Sequence, residues 1–191
     1  MDQDYYSKLL AEHGPTYRAV DAGSVETLQR RHRVLTSMIP DMHSSVLDIG
    51  CGLGHLIDYG YGIHPSGYYG IDILPEMIVA ARLRRPGWRF EVGDILHAKE
   101  AWVADYVVAS GLFQFADWNF VNMAMGIMWA LCRKGMAVNF LRHGDPSEFV
   151  IPPWMLIEEG LPTPWFTVRA DYLPNDWTLY LWKENPHAPK L

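Results

Sequence analysis

Residues 46–56 read VLDIGCGLGHL: apolar positions and Asp48, then three alternating glycines, Gly50, Gly52 and Gly54, with Cys51 between the first two. Glycine has no Cβ, so such a run lets the backbone turn tightly and lets a ligand rest against the main chain. A turn from a strand into a helix also points unpaired N–H groups outward, toward an anionic or polar ligand. Two more acids follow at measured intervals. Asp72 comes 18 residues after Gly54, about the interval at which an acid reaches a nucleoside ribose. A carboxylate is acceptor-only, so it can take hydrogen bonds from two adjacent hydroxyls at once. Asp94 lies one strand further on, where it could accept from an exocyclic amine. His143, in NFLRHGDP, is the best-placed candidate base. No histidine or cysteine spacing suggests a metal, and Cys51 and Cys132 sit in unlike contexts.

These residues need a scaffold, and the chain alternates strand and helix signals. SVETLQRRHRVLTSMI (24–39) predicts an amphipathic helix with Ser24 as its N-cap, ended by Pro40. Its arginines Arg30, Arg31 and Arg33 read as the solvated face. Strands are predicted over 45–49, 68–72, 88–92, 104–110 and 136–141, and helices over 55–60, 75–84 and 118–132, the last stopped by Lys134-Gly135. Near-continuous apolar strands separated by helices indicate a parallel sheet covered on both faces. The ending differs. FTVRADY (166–172) and DWTLYLWK (176–183) leave no room for a crossover helix, so they must pair antiparallel. The expectation is an α/β, Rossmann-like sheet of seven strands, mostly parallel, with a C-terminal antiparallel hairpin. Asp48, Asp72 and Asp94 then all fall at the carboxyl ends of strands, where open α/β sheets bind ligands. A nicotinamide fingerprint fails on spacing, because G-x-G-x-x-G would put its third glycine at His55.

In this order, D48-I-G-C-G-L-G54, G70-I-D-I73, PEMIVAAR, G93-D-I95, D105-YVVASG111 and the terminal TLYLWK hairpin strand resemble the class I S-adenosylmethionine-dependent methyltransferases. The likeness covers about residues 44–183. It implies S-adenosyl-L-methionine as cofactor and S-adenosyl-L-homocysteine as product. By that resemblance Gly50, Cys51, Gly52 and Gly54 form the turn that cradles the methionine part, with Asp48 nearby. Asp72 takes the ribose hydroxyls and Ile73 packs on adenine. Asp94 and the Ile95 amide read the adenine edge, and Ser110 lies beside the methyl group. Ser110 and His143 are the catalytic candidates.

The acceptor is the variable part of that family. After the fourth strand the chain runs SGLFQFADWNF, without the Asn/Asp-Pro-Pro-aromatic motif of amino methyltransferases acting on DNA bases. Net charge is −6, which disfavours a nucleic-acid or anionic-membrane partner. Phe113, Gln114, Phe115, Trp118, His143 and Trp154 are therefore assigned to an apolar pocket for a small-molecule acceptor, with a few polar handles. Tyr5, Tyr6 and Tyr17 could close over the cofactor. The chain reads as one domain of 191 residues, 49% hydrophobic and 20% charged. It divides into an N-terminal helical cap (1–43), a cofactor-binding core (44–142), and an insertion with the terminal hairpin (143–191). MDQDYYSKLL is not a signal peptide and no apolar run spans a bilayer, so a cytoplasmic monomer or homodimer is expected. Two other readings share the fold: a non-methyl alkyl transferase, and a catalytically silent domain that binds the cofactor or a partner protein.

Overall fold

Alternating burial along the central strands sets the architecture. In β1 (Val46–Ile49), Leu47 and Ile49 pack into one core and Val46 into another, because successive side chains face opposite sides of a sheet. The computed structural model describes residues 3–142 and 148–187. Six helices are described: α1 (Gln3–His13), α2 (Val25–Thr36), α3 (Leu56–Tyr59), α4 (Pro75–Arg84), α5 (Trp118–Leu131) and α6 (Pro153–Glu159). With β1 go β2 (Tyr68–Asp72), β3 (Phe90–Val92), β4 (Ala104–Ala109), β5 (Cys132–Leu141), β6 (Phe166–Arg169) and β7 (Asp176–Trp182). They form one sheet in the order β3-β2-β1-β4-β5-β7-β6. The pairs among β1 to β5 are parallel, whereas β7 runs antiparallel to both β5 and β6.

Local chemistry explains the element starts. Ser24 Oγ accepts from the Thr27 amide at 3.1 Å, and Asp117 Oδ1 accepts from the Phe120 amide at 2.8 Å, capping α2 and α5. Pro75 opens α4, where its missing N–H costs nothing. One core joins β4, β5 and β7 to α5 through Val107, Val138, Leu179, Val121 and Met128; the other joins α2 and α4 through Leu35, Ile78 and Tyr180.

Several boundaries differ from the sequence reading: α2 ends at Thr36, short of Pro40, and β6 ends at Arg169 rather than at Tyr172. Strand β3 starts at Phe90 rather than Trp88. Strand β5 starts at Cys132, because α5 ends at Leu131 and the chain passes directly into the sheet. Gly135 is thus no helix stop. It lies inside β5 opposite Trp182, where a Cβ would come within 2.6 Å of the Leu181 carbonyl. Helix α1 lies within the helical cap expected over 1–43, whereas α6 falls in the stretch read as an insertion.

The strand order reverses between β1 and β4, which are parallel neighbours with Ile49 opposite Ala109. Such a switch point opens a crevice at the carboxyl ends of the two strands.

Candidate functional site

The turn after β1 is built by its glycines. Gly50, Gly52 and Gly54 have φ of +67°, +49° and +71°, the left-handed region that strains other residues by roughly 1–2 kcal/mol each. Crowding adds to this. A Cβ on Gly54 would lie 2.7 Å from the Phe90 ring, and one on Gly52 would lie 3.0 Å from Val20 Cγ1. The Cys51 amide donates to the Ile71 carbonyl at 2.9 Å, tying the turn to β2.

Asp72, the last residue of β2, is buried and holds that turn from below. Its Oδ2 accepts from the Gly52 amide at 2.8 Å and its Oδ1 from the Leu74 amide at 2.9 Å. Desolvation raises its carboxyl above the usual range, against the lowering effect of these amides. Asp48 is also buried. The Tyr68 hydroxyl donates to its Oδ2 at 2.8 Å, yet burial, with the Asp72 charge nearby, pushes its pKa up to about 7. Burial pushes the Cys51 thiol well above its ordinary value too, so Cys51 is a packing residue and not a nucleophile.

A cavity of about 810 Å³ opens over the switch point. Asp48, Gly50, Cys51, Gly52, Ser110, Phe113, Gln114 and Phe115, all singled out from sequence, share its lining. Other sequence candidates lie apart from that lining. Gly54 ends the turn against Phe90, Asp72 is bonded to the Gly52 amide, and Ile73 packs against the small cluster of Ala19, Leu53, Leu74 and Met77. Asp94 Oδ1 accepts from the Leu96 amide at 2.9 Å, and its Oδ2 is 3.0 Å from His97 Nδ1. Ile95 is buried in the main core, and Trp118 packs against it. Trp154 stands 58% exposed on α6. His143 lies outside the described residues.

The lining also includes residues that sequence reasoning missed. Arg31 and His32 enter it from α2, Asn139 from β5, and Asp21 from the loop before α2. Arg31 is not on a solvated face: its Nε and Nη2 donate to the two oxygens of Asp176 at 2.9 and 3.1 Å. Leu28, Arg31 or His32, and Leu35 share the i, i+3 or i+4, i+7 spacing of one helix face, and that was the available signal. His32 and His55 are both held neutral by burial, their pKa values lowered to about 3 and about 4.

Helix α1 closes over the mouth. Gln114 Nε2 donates to Asp21 Oδ2 at 2.9 Å and to Glu148 Oε1 at 2.6 Å, and the Tyr6 hydroxyl donates to Gln114 Oε1 at 3.2 Å. The Phe115 ring meets Tyr5 edge-on at 5.1 Å and Tyr6 at 6.1 Å. Tyr5 itself lines the cavity. Tyr17 belongs to the single 3-10 turn 17–20 before α2.

Comparison with known proteins agrees with this architecture. The methyltransferase-domain family profile matches residues 46–135. The Mycobacterium tuberculosis protein named "Putative methyltransferase Rv1506c" is 36% identical over 116 residues, which cover 54% of this chain and 68% of that protein. Trans-aconitate 2-methyltransferase of Rhizobium meliloti is 30% identical over 133 residues, 68% of this chain but 49% of the relative. Among solved structures, the N-methyltransferase NodS of Bradyrhizobium japonicum with bound S-adenosyl-L-homocysteine superposes with a TM-score of 0.69 at 16% identity, covering 97% and 100% of the two chains. Magnesium protoporphyrin IX methyltransferase from Synechocystis PCC 6803 with bound S-adenosylmethionine gives 0.67 at 14% identity, covering 95% of each. At those identities the structural likeness speaks for the fold alone, whereas the Mycobacterium relative speaks for descent. The chain belongs to the class I S-adenosylmethionine-dependent methyltransferases.

Proposed function

We propose that the protein transfers the methyl group of S-adenosylmethionine to a small-molecule acceptor, by an in-line displacement that alignment drives. The observation that carries this reading is one continuous cavity whose lining joins the Gly50–Gly52 turn to the aromatic residues after β4. The residues fit such a cofactor. Gly50 and Gly52 form a turn that side chains would crowd, and Asp72 fixes that turn from the end of β2 through the Gly52 amide. Gly50, Cys51 and Gly52 would hold the methionine part with Asp48, Asp72 the ribose, Asp94 and the Ile95 amide the adenine edge, and Ile73 its face.

When bound, the cofactor supplies an activated methyl on a sulfonium, so the protein needs chiefly to orient the acceptor and exclude water. Phe113 and Phe115 give the acceptor an apolar seat, and Ser110 offers a hydroxyl beside it. Among the described residues of the cavity, only Asp48, with its carboxyl at about 7, is pushed to titrate near neutral pH. His32 and His55 are held far below their usual pKa, and the Cys51 thiol keeps its proton. With the histidines and the thiol set aside, an acceptor that arrives deprotonated needs alignment alone, and Asp48 and His143 are the candidate bases for a hydroxyl.

The test is calorimetry and thermal unfolding with S-adenosyl-L-homocysteine, followed by its release from S-adenosylmethionine in the presence of candidate acceptors. At about a hundred times its dissociation constant the ligand should add roughly 2.7 kcal/mol of stability. A shift with NAD and none with S-adenosyl-L-homocysteine would overturn the reading, and binding with no turnover on any acceptor would favour a silent domain.

A further inference from the structure

Two carboxylates meet at the mouth of the cavity. Gln114 Nε2 commits one hydrogen to Asp21 Oδ2 at 2.9 Å and the other to Glu148 Oε1 at 2.6 Å, and all three residues belong to the lining. A neutral amide thus holds two like charges side by side, an arrangement that a cation between them would stabilise. Among the described residues Arg31 is the only lysine or arginine in the lining, and Asp176 already balances it. Burial, followed by the effect of Asp21 and Glu148, pushes the Tyr5 hydroxyl beside them up to about 12.

A second observation is independent of these acids. Asn139 lines the same cavity from β5 and is only 3% exposed. Its Nδ2 donates to the Tyr172 hydroxyl at 2.8 Å and to the Trp177 carbonyl at 3.3 Å. A carbonyl can only accept, so the amide cannot be turned round. Its Oδ1 has no partner among the described residues and is not sealed off from solvent. The space it opens to is the cavity. Around these acceptors stand aromatic rings: Phe115 meets Tyr5 edge-on at 5.1 Å, and Phe113 lines the same space.

We propose that the methyl acceptor is a small molecule carrying a cationic nitrogen, held by Asp21, Glu148 and Asn139 Oδ1 against the Tyr5 and Phe115 rings. An ammonium group has three N–H donors and no acceptor, which matches a wall of oxygens that can only accept. The π face of an aromatic ring attracts a cation within about 6 Å. While protonated, such a nitrogen has no lone pair to attack a methyl group, so it serves as a handle and not as the nucleophile. The inference rests on the functional reading above, in which the cofactor lies on the Gly50–Gly52 turn. Gln114 and Phe115 follow β4, and Asn139 and Glu148 belong to β5 and the chain after it, on the other side of β1 from β2 and β3. The cation site is therefore on the acceptor's side of that turn.

The test compares benzylamine, a cation at neutral pH, with benzyl alcohol, its neutral counterpart of the same size. Both are titrated by calorimetry into the chain with and without saturating S-adenosyl-L-homocysteine. The variants are Asp21→Asn combined with Glu148→Gln, which removes both charges at constant size, and Phe115→Leu, which removes a ring. Each is first checked for a cooperative unfolding transition, and its dissociation constants for S-adenosylmethionine and S-adenosyl-L-homocysteine are measured. The parent should prefer benzylamine by about tenfold or more. That preference should vanish in the double variant and fall a few-fold in Phe115→Leu, with both nucleosides bound as before. A parent without the preference would overturn the proposal, as would a preference that survives in the double variant. If the double variant does not fold, an undiminished preference in Phe115→Leu overturns it. Loss of S-adenosylmethionine but not S-adenosyl-L-homocysteine affinity in the double variant would also overturn it, because the acids would then serve the cofactor's sulfonium. A parent that binds neither nucleoside but still selects benzylamine through Asp21 and Glu148 would overturn the cofactor reading and leave the cation site standing.

Discussion

The Tyr68 hydroxyl donates to Asp48 Oδ2 at 2.8 Å, and both residues are buried beneath the glycine turn. The bond favours the ionised carboxylate but does not outweigh desolvation, since the Asp48 pKa still lies at about 7. A folded pKa above the unfolded value means that the folded state binds the extra proton. Stability therefore falls as pH rises from about 4 toward 7. Asp48→Asn should raise the melting temperature at pH 8, by less at pH 5, and leave it nearly unchanged only at or below the unfolded pKa of about 4. Equal shifts at pH 8 and pH 4 in parallel unfolding scans would disprove the linkage.

The two buried histidines act in the opposite sense. His32 and His55 have folded pKa values of about 3 and about 4, below the ordinary 6.5. The unfolded chain takes up their protons first, so the stability they allow is present above pH 6.5 and is lost as pH falls below it. His32→Phe keeps a ring beside Tyr59, whose centroid is 6.3 Å away, and removes one titration. Its unfolding free energy should decline less steeply than the parent's between pH 6 and 4.

Two glycines should respond to alanine with opposite signs. Gly52→Ala forces a Cβ into a left-handed residue 3.0 Å from Val20, costing about 1–2 kcal/mol and weakening S-adenosyl-L-homocysteine. Gly126 lies inside α5 with nothing within 4 Å of an added Cβ, so Gly126→Ala should stabilise by about 0.5–1 kcal/mol and leave ligand binding alone. Denaturant unfolding read alongside ligand titration compares the two directly.

Asp72 couples stability to binding. The sequence alone suggests a residue at the mouth of the sheet whose loss spares the fold. The two amide bonds it accepts argue otherwise. Asp72→Ala strands the Gly52 and Leu74 amides and should cost about 1–3 kcal/mol of stability, besides at least tenfold in cofactor affinity. A variant that keeps full melting temperature would show that the turn holds its shape without Asp72.

His143→Ala should lower turnover by less than about tenfold if alignment suffices. A loss of about 10²–10⁴-fold, with cofactor affinity intact and a flattened pH–rate profile, would make it a general base acting on a hydroxyl acceptor.

What the sequence revealed follows from the range of the forces involved. The glycine turn, the Ser24 cap and the strand periodicity are local, so they could be read from neighbouring residues. The antiparallel closure of the sheet followed from a connection too short for anything else. The pairing of Arg31 with Asp176 spans 145 residues, and the Gln114 bridge to Asp21 spans 93; no local pattern announces either. Gly135 misled because a glycine after a helix reads as a stop, while its actual reason is the close passage of β7. Trp154 misled because an aromatic residue carries no mark of which way its helix faces.

Strand β7 is late in the chain yet interior in the sheet, wedged between β5 and β6. On a ribosome β1 to β5 emerge first and can pair among themselves, but β5 then presents a bare edge until residues 176–182 arrive. Strand β6 is made earlier and has no neighbour except β7, so it cannot cover that edge alone. At ordinary elongation rates of about 5–20 residues per second, the nascent chain spends seconds with an open, aggregation-prone flank. Chaperone demand during synthesis, and not only final stability, is thus written into the strand order.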